Sequence, residues 1–348
     1  MRGLCGENAF DAGRQDISLI HTVSPLVQQL AFPLHSLRRN FPQASRAAIA
    51  AKLDSLPENS LFTVLSAEDG SEWFAALRPL PWDSEFFGRG VGRIEFLGTS
   101  AEPHLMSAEN MLRCEKFVRK VLLEASARRI EYLSVQVDSA DVLLLSVLQR
   151  LGFVVLDTII CYLLDLSQFD GHAGGESSNL LTDFEHVRRA TAADTDAVAD
   201  ISRICFGDTR YNANRFNSDP LLAGDKVAEL YGLWAMKSIS GEMAEKVFVF
   251  DQGNGSEGFI TVAKPDSSDL KFGLKLASIP LNAVAPHSHG RGVYSALVRH
   301  ALSKLKAEGY DWVDIRTQLP NSAVHRTWQK LGAIAALSYH TLRFGPAK

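Results

Sequence analysis

The sequence predicts an α/β protein: a mixed central β-sheet flanked by helices, built as two tandem copies of one unit with the N-terminal copy degenerate. Three observations predict it. Strand and helix patterns succeed one another through the C-terminal half, a matching set recurs at an offset of 180 residues, and a glycine-containing loop joins a strand to an apolar-periodic helix. The 348 residues suit two domains of roughly 150 residues each.

The C-terminal half reads as helix Thr191–Phe206, a loop, a helix near Leu222–Ser238, and strands Glu245–Phe250 and Gly258–Val262 around the turn DQGNGSE. Strand Leu276–Val284, helix Gly292–Glu308, strand Trp312–Thr317, helix Ser322–Leu331 and a last strand Ala335–Phe344 follow. Antiparallel strands first and helix-connected strands later imply a mixed sheet. Residues 130–156 laid over 310–336 match Gln149 to Gln329 and Leu151-Gly152 to Leu331-Gly332. Glycine, serine and acidic residues after Ser167 mark a linker, which divides the chain into 1–171, a linker at 172–181, and 182–348.

Hydrophobic residues at 46% and charged residues at 22% describe a soluble globular chain, and a net charge of -4 gives no broad basic field for nucleic acid or an anionic membrane. Cys5, Cys114, Cys161 and Cys205 are scattered without a CxxC pair, so no metal is expected and the thiols are read as reduced. No apolar run approaches the ~20 residues that span a bilayer, and charge interrupts the N-terminal sixteen residues, which read as an extension and not a signal peptide. A cytoplasmic location is expected.

The segment LNAVAPHSHGRGVYSALV, Leu281 to Val298, carries the sharpest signal. A strand ends at Val284, Pro286 removes a backbone donor, and Gly290 and Gly292 lead into a helix whose first N–H groups are free. Such a turn suits a pyrophosphate, with Arg291 able to add a charge-assisted bond, although the same glycines would also serve an ordinary strand-to-helix turn. The offset of 180 sets Glu109, Asn110, Met111 and Leu112 against His289, Gly290, Arg291 and Gly292, so the N-terminal copy lacks the means to hold a phosphate.

This loop resembles the acetyl-CoA signature of the GNAT acetyltransferase superfamily, (Q/R)xxGx(G/A), with Gly292 matching, His289 in the Q/R place and Tyr294 in the G/A place. Downstream, Asn321, Trp328 and Leu331-Gly332 resemble the family's Asn, Tyr and Gly-Phe pattern, with Trp328 in the Tyr place and Ala333 in the Phe place. Family members use that Tyr to protonate the departing thiolate; an indole donates a hydrogen bond but is no working acid near neutral pH. The segments Pro79–Ile94, Asn214–Trp234 and Thr317–Asn321 are similar to the dTDP-fucosamine (dTDP-4-amino-4,6-dideoxygalactose) N-acetyltransferases.

The resemblance implies direct attack of an amine on acetyl-CoA, the co-substrate, in a ternary complex, with backbone N–H groups near Val284 and Ala285 holding the oxyanion. It implies cofactor contacts at Ala283, Val284, His289, Gly290, Arg291, Gly292, Val293, Tyr294, Asn321 and Trp328. Tyr294 and Tyr339 are candidates for the acid, and Arg215, Gln318 and His340 for acceptor binding; Glu245, His287 and His325 stand as guesses for the group that takes the amine proton. The expected partner is a small-molecule amine, a nucleotide-linked amino sugar, with no nucleic acid or membrane and a homodimer left open. Transfer to a protein or polyamine, and a CoA sensor without turnover, remain as rivals.

Overall fold

A computed structural model describes residue 30 and residues 32–66, 72–99, 106–170 and 184–345. The expected linker lies outside the described residues. The N-terminal half runs α1 (Pro42–Asp54), β1 (Leu61–Ser66), β2 (Glu72–Pro79), α2 (Pro81–Phe87), β3 (Val91–Thr99), α3 (Ala108–Ala127), β4 (Tyr132–Asp138), α4 (Val142–Arg150) and β5 (Val154–Asp165). The C-terminal half opens with β6 (Val187–Arg189), α5 (Thr195–Gly207), α6 (Gly224–Ile239), β7 (Lys246–Asp251) and β8 (Ser256–Val262). It continues with α7 (Ser267–Lys271), β9 (Leu276–Ile279), β10 (Asn282–Val284), α8 (Val293–Ala307), β11 (Trp312–Gln318), α9 (Ser322–Lys330) and β12 (Ile334–Phe344). No helix among the described residues is long and apolar enough to cross a membrane.

An offset of 180 residues carries β4 onto β11 and α4 onto α9 at both ends. The strands form one sheet in the order β1-β2-β3-β4-β12-β5-β11-β9 and a second in the order β10-β8-β7-β6. β12 therefore lies between β4 and β5, and β5 between β12 and β11, so the last strand of each half is inserted beside a strand of the other. The central β5·β12 pair is antiparallel, and its register shifts where Leu156 and Ala336, themselves 180 residues apart, are left without a partner. Equal irregularities on both strands keep the pair symmetric.

Helices cover the sheet because their apolar residues fall on one face. In α8 the buried positions Val293, Ala296, Leu297, Ala301, Leu302 and Leu305 recur at helical spacing and join a core with Ile260, Val262, Ile315 and the fully buried Trp328. α2 holds the sequence WDSEFF. Pro81 starts it, Gly88 ends it at φ 66°, and Ser84 Oγ accepts the Val91 N–H at 2.8 Å while donating to the Leu80 carbonyl. Lys226 on α6 donates to the Phe86 carbonyl at 2.6 Å, which ties this turn to the other half.

Within the C-terminal half a further tie is ionic. Arg343 on β12 grips Asp219 through Nε at 3.1 Å and Nη2 at 3.2 Å, and both side chains are buried. Asp219 belongs to the segment after α5 that also carries Asn212, Asn214 and Arg215. Removing one partner of a buried pair strands the other charge, so Arg343→Met should lower the unfolding free energy by about 3–5 kcal/mol. Urea denaturation measures this, and a loss under 1 kcal/mol would mean that Asp219 finds water or another donor.

Candidate active site

The site begins where one strand changes partners. β9 pairs with β11 in parallel as far as Ile279↔Ile315, and from Asn282 the same chain, as β10, pairs with β8 instead. Pro280, which has no N–H, stands between them. Beyond Ile315, Arg316, Thr317 and Gln318 keep only their β5 partners, and a wedge opens between β10 and β11. Sequence reasoning expected one strand over Leu276–Val284; the structure breaks it here because two sheets must be served in turn.

The Ala285 N–H donates to the Glu257 carbonyl at 2.8 Å, and the Leu281 carbonyl accepts the Thr261 N–H at 2.9 Å. Bonds to β8 recur at alternate residues, so Asn282 and Val284 turn their peptide groups towards the wedge. The expected pair of oxyanion donors is thus corrected: Ala285 is committed to β8, and Val284 alone faces the gap. The Val284 carbonyl already receives His289 Nε2 at 2.9 Å and the Cys205 thiol at 3.3 Å.

α8 starts at Gly292, whose φ of 84° lies in the left-handed region, and Gly290 before it has φ 75°. No side chain caps the helix, and its first backbone bond is Ala296 N–H to the Gly292 carbonyl at 3.0 Å. The amides of Val293, Tyr294 and Ser295 are therefore open to a ligand, and the helix dipole favours an anion there. A cavity of about 590 Å³ lies over them, lined among others by Ala283, Val284, His289, Gly290, Gly292, Val293, Tyr294 and Asn321. Arg210, Arg299, Arg326 and Lys330 also line it, and no carboxylate does among the described residues. An anionic, elongated ligand fits this chemistry.

Two expected cofactor contacts do not reach that cavity. Arg291 is turned outward to Glu257 at 3.3 Å and Gln252 at 3.4 Å. Trp328 is fully buried, since α9 needs a large apolar residue against the α8 core. Its indole N–H instead donates to the Tyr294 hydroxyl at 3.1 Å. A phenol that accepts this bond keeps its own O–H for the cavity. Burial pushes the Tyr294 hydroxyl upward, and the Trp328 bond pulls it back in part.

A second cavity of about 380 Å³ meets the first at Phe206, Asn212, Asn282, Asn321 and Val324. Arg93, Arg215, Arg316, Gln136, Gln318, Tyr339 and Thr341 line it, with Asp157 as the one carboxylate among the described lining residues. One wall is aromatic: Phe206 stacks on Tyr231 at 4.6 Å, and Phe216 and Trp234 meet Tyr231 edge-on at 6.0 and 5.1 Å. Arg215 lies over the Phe216 ring at 4.6 Å, and none of the described ion pairs involves it. A smaller chamber of about 210 Å³ continues to Arg78 and Asp83, where burial raises the Asp83 carboxyl against the pull of Arg215, Arg78 and Arg93.

Arg215, Gln318 and Tyr339 are thus brought together, whereas His340 is not. Successive strand residues face opposite sides, so Tyr339 and Thr341 look into the cavity and His340 looks away, bonded to Thr158 Oγ1 at 2.9 Å. Glu245, His287 and His325 line neither cavity. Sequence reasoning missed Arg93 and Asp157, which come from the other half, and the cations Arg326 and Lys330, whose spacing of four on α9 was a readable signal.

The N-terminal copy opens the same wedge and fills it. β3 and β4 pair only from Val91↔Tyr132 to Ile94↔Val135. Leu30 occupies the opening so closely that a Cβ on Gly98 would lie 2.4 Å from its Cδ2, and the remaining void is about 20 Å³. Ser107 caps α3 by accepting the Asn110 N–H at 3.0 Å, and Glu109 sits in the first turn. The cap takes up an amide that a phosphate would need, and Glu109, paired with Arg113 at 2.6 Å, adds no positive charge there.

The chain superposes on a GCN5-related N-acetyltransferase from Sphaerobacter thermophilus at a TM-score of 0.56 and 13% identity, over 96% of each chain. The chain has the GNAT fold. A GCN5-related glucosamine N-acetyltransferase region of a fungal multi-domain GH3 β-N-acetylglucosaminidase shares it at a TM-score of 0.61 and 13% identity, covering 95% of this chain and 37% of that one. The dTDP-fucosamine acetyltransferase of Escherichia coli O6:H1 is 20% identical over 260 residues, 74% of this chain and 93% of that protein. The spore coat polysaccharide biosynthesis protein SpsD of Bacillus subtilis (strain 168) is 23% identical over 155 residues, 44% of this chain and 49% of that protein, so the match spans about half of its length. No protein-family model matches the chain.

Within this GNAT framework the glycine loop makes a sharp test. Gly292→Asp sets a side chain on a left-handed backbone and a negative charge at the open helix end. Acetyl-CoA binding by calorimetry should disappear. Unchanged affinity would remove the loop from the ligand site.

Proposed function

We propose that the chain transfers an acetyl group from acetyl-CoA to the amine of a nucleotide-linked amino sugar, dTDP-4-amino-4,6-dideoxyhexose-like, by direct attack in a ternary complex. The observation that carries this reading is the junction of two chemically distinct cavities at Asn282 and Asn321, on either side of the strand wedge. One has an uncapped helix end and four cations, as a pyrophosphate carrier needs; the other has three guanidiniums and an aromatic wall, as a sugar nucleotide needs. The E. coli relative is named for a nucleotide-sugar acceptor, which agrees.

In this reading Ala283, Val284, Gly290, Gly292, Val293, Tyr294 and Asn321 seat acetyl-CoA, with His289 bracing the loop through the Val284 carbonyl. The Val284 N–H meets the oxyanion, and Arg215 and Gln318 meet the acceptor. Residues 1–171 are the degenerate copy, which lends strands and acceptor residues but holds no acetyl-CoA. Tyr294 gives its proton to the departing thiolate while the Trp328 indole N–H supports the phenolate left behind. The phenol normally supplied from the α9 position thus comes from α8. Cys205 is no acyl carrier, because burial pushes its thiol up to about 11 and keeps it protonated. Three arginines against one carboxylate in the acceptor cavity disfavour a polyamine or a lysine-rich peptide.

Thiol release from acetyl-CoA tests the proposal, with a dTDP-4-amino-4,6-dideoxyhexose, spermidine and a lysine peptide offered in parallel. Turnover should follow the sugar nucleotide alone. Binding of acetyl-CoA without thiol release from any amine would favour a sensor. Tyr294→Phe should lower kcat by roughly a hundredfold to ten-thousandfold, the range of general-acid catalysis. Trp328→Phe, which loses only the supporting bond, should keep more than about a tenth of kcat; equal losses in both variants would deny Tyr294 the proton.

A further inference from the structure

We propose that Asp157 is the group that receives the acceptor amine and takes its proton. This rests on the acetyl-transfer reading above. Asp157 belongs to β5, the strand that the N-terminal half inserts beside β11 and β12, and so reaches the C-terminal acceptor cavity from the other half of the chain. It is the one carboxylate among the described residues that line either cavity. An attacking amine sheds a proton; the arginines and the lysine that line the cavities have no lone pair to receive it with, and the one lining imidazole, His289, is engaged through Nε2 at the Val284 carbonyl at 2.9 Å.

Its local chemistry suits the task. Oδ2 accepts the Arg215 N–H at 3.1 Å, which fixes the carboxylate to the acceptor loop. Oδ1 is sealed from solvent, and across the β5·β12 pair it faces the equally buried hydroxyl of Thr341, which bears on the same carboxyl. None of the described hydrogen bonds brings this carboxyl a charged donor, so it is left to receive the N–H groups of a neutral amine that enters the cavity. Burial raises the Asp157 carboxyl above its ordinary range, while the Thr341 hydroxyl, the Arg215 guanidinium and its N–H, and His340 act in the opposite direction. Tyr231 and Tyr339 also face it; burial raises both phenols, and the carboxylate adds a smaller push in the same direction.

The step balances without a further reactant. The neutral amine nitrogen forms a bond to the thioester carbonyl carbon, whose π pair moves to oxygen. The ammonium proton of that adduct passes to the Asp157 carboxylate, the C–S bond breaks, and the thiolate takes a proton from Tyr294. Exchange of one proton from Asp157 to Tyr294 through water restores both groups.

The test uses the full chain with acetyl-CoA and dTDP-4-amino-4,6-dideoxygalactose as probes. Asp157→Asn keeps shape and removes charge, and should lower kcat at least a hundredfold, leave acetyl-CoA affinity by calorimetry unchanged, and abolish the acidic limb of the kcat/KM profile. Asp157→Glu should restore part of the rate if it folds, as judged by an unaltered melting transition. An Asn variant that keeps more than a third of wild-type kcat with the same acidic limb overturns the role of Asp157. A wild-type chain that does not bind acetyl-CoA overturns the underlying reading instead, so the two failures are distinguishable.

Discussion

A single strand that serves two sheets governs the arrangement. Once Ile279 has paired with Ile315, the chain passes Pro280 and binds β8, while β11 runs on with one neighbour missing. Peptide groups that would have closed a ladder are left facing an opening, and such groups are costly unless something else satisfies them. The features that line the opening follow from this. Asn282 and Val284 present their backbone, α8 starts beyond the glycine loop with no side chain capping its amides, and α9 brings Asn321 to the opposite lip.

The two copies treat the same opening differently. Both part after equivalent pairs, Ile94↔Val135 and Ile279↔Ile315. In the first copy Leu30 packs into the gap against Gly98 and Ser107 spends its side chain on the helix amides. In the second, Gly292 offers no side chain and the lining is cationic. The same backbone yields a filled core in one half and a cavity in the other, through a few side chains. The first copy still contributes, because β5 and β12 change places and carry Asp157 into the second cavity.

Much of this was legible from residues alone. The matches of Gln149 with Gln329 and of Leu151-Gly152 with Leu331-Gly332 revealed the repeat, and the spacing of Gly290 and Gly292 before an apolar-periodic helix marked the loop, because both are local patterns. What stayed hidden depends on contacts distant in sequence. Nothing near Trp328 says that its ring enters the core and reaches Tyr294 on another helix. His340 falls outside the cavity because the facing of a strand residue is set by register, and β12 takes its register from β4 and β5. The strand exchange, and with it Arg93 and Asp157, is invisible to any reading that treats the halves as separate units.

Hydrogen exchange with and without acetyl-CoA tests the central claim most directly, because it reads the backbone amides themselves. The account predicts that amides from Gly290 to Ser295 and at Val284 gain protection on addition of acetyl-CoA, while those from Glu109 to Leu112 at the start of α3 do not change. Protection confined to the N-terminal copy, or none at the start of α8, would contradict it.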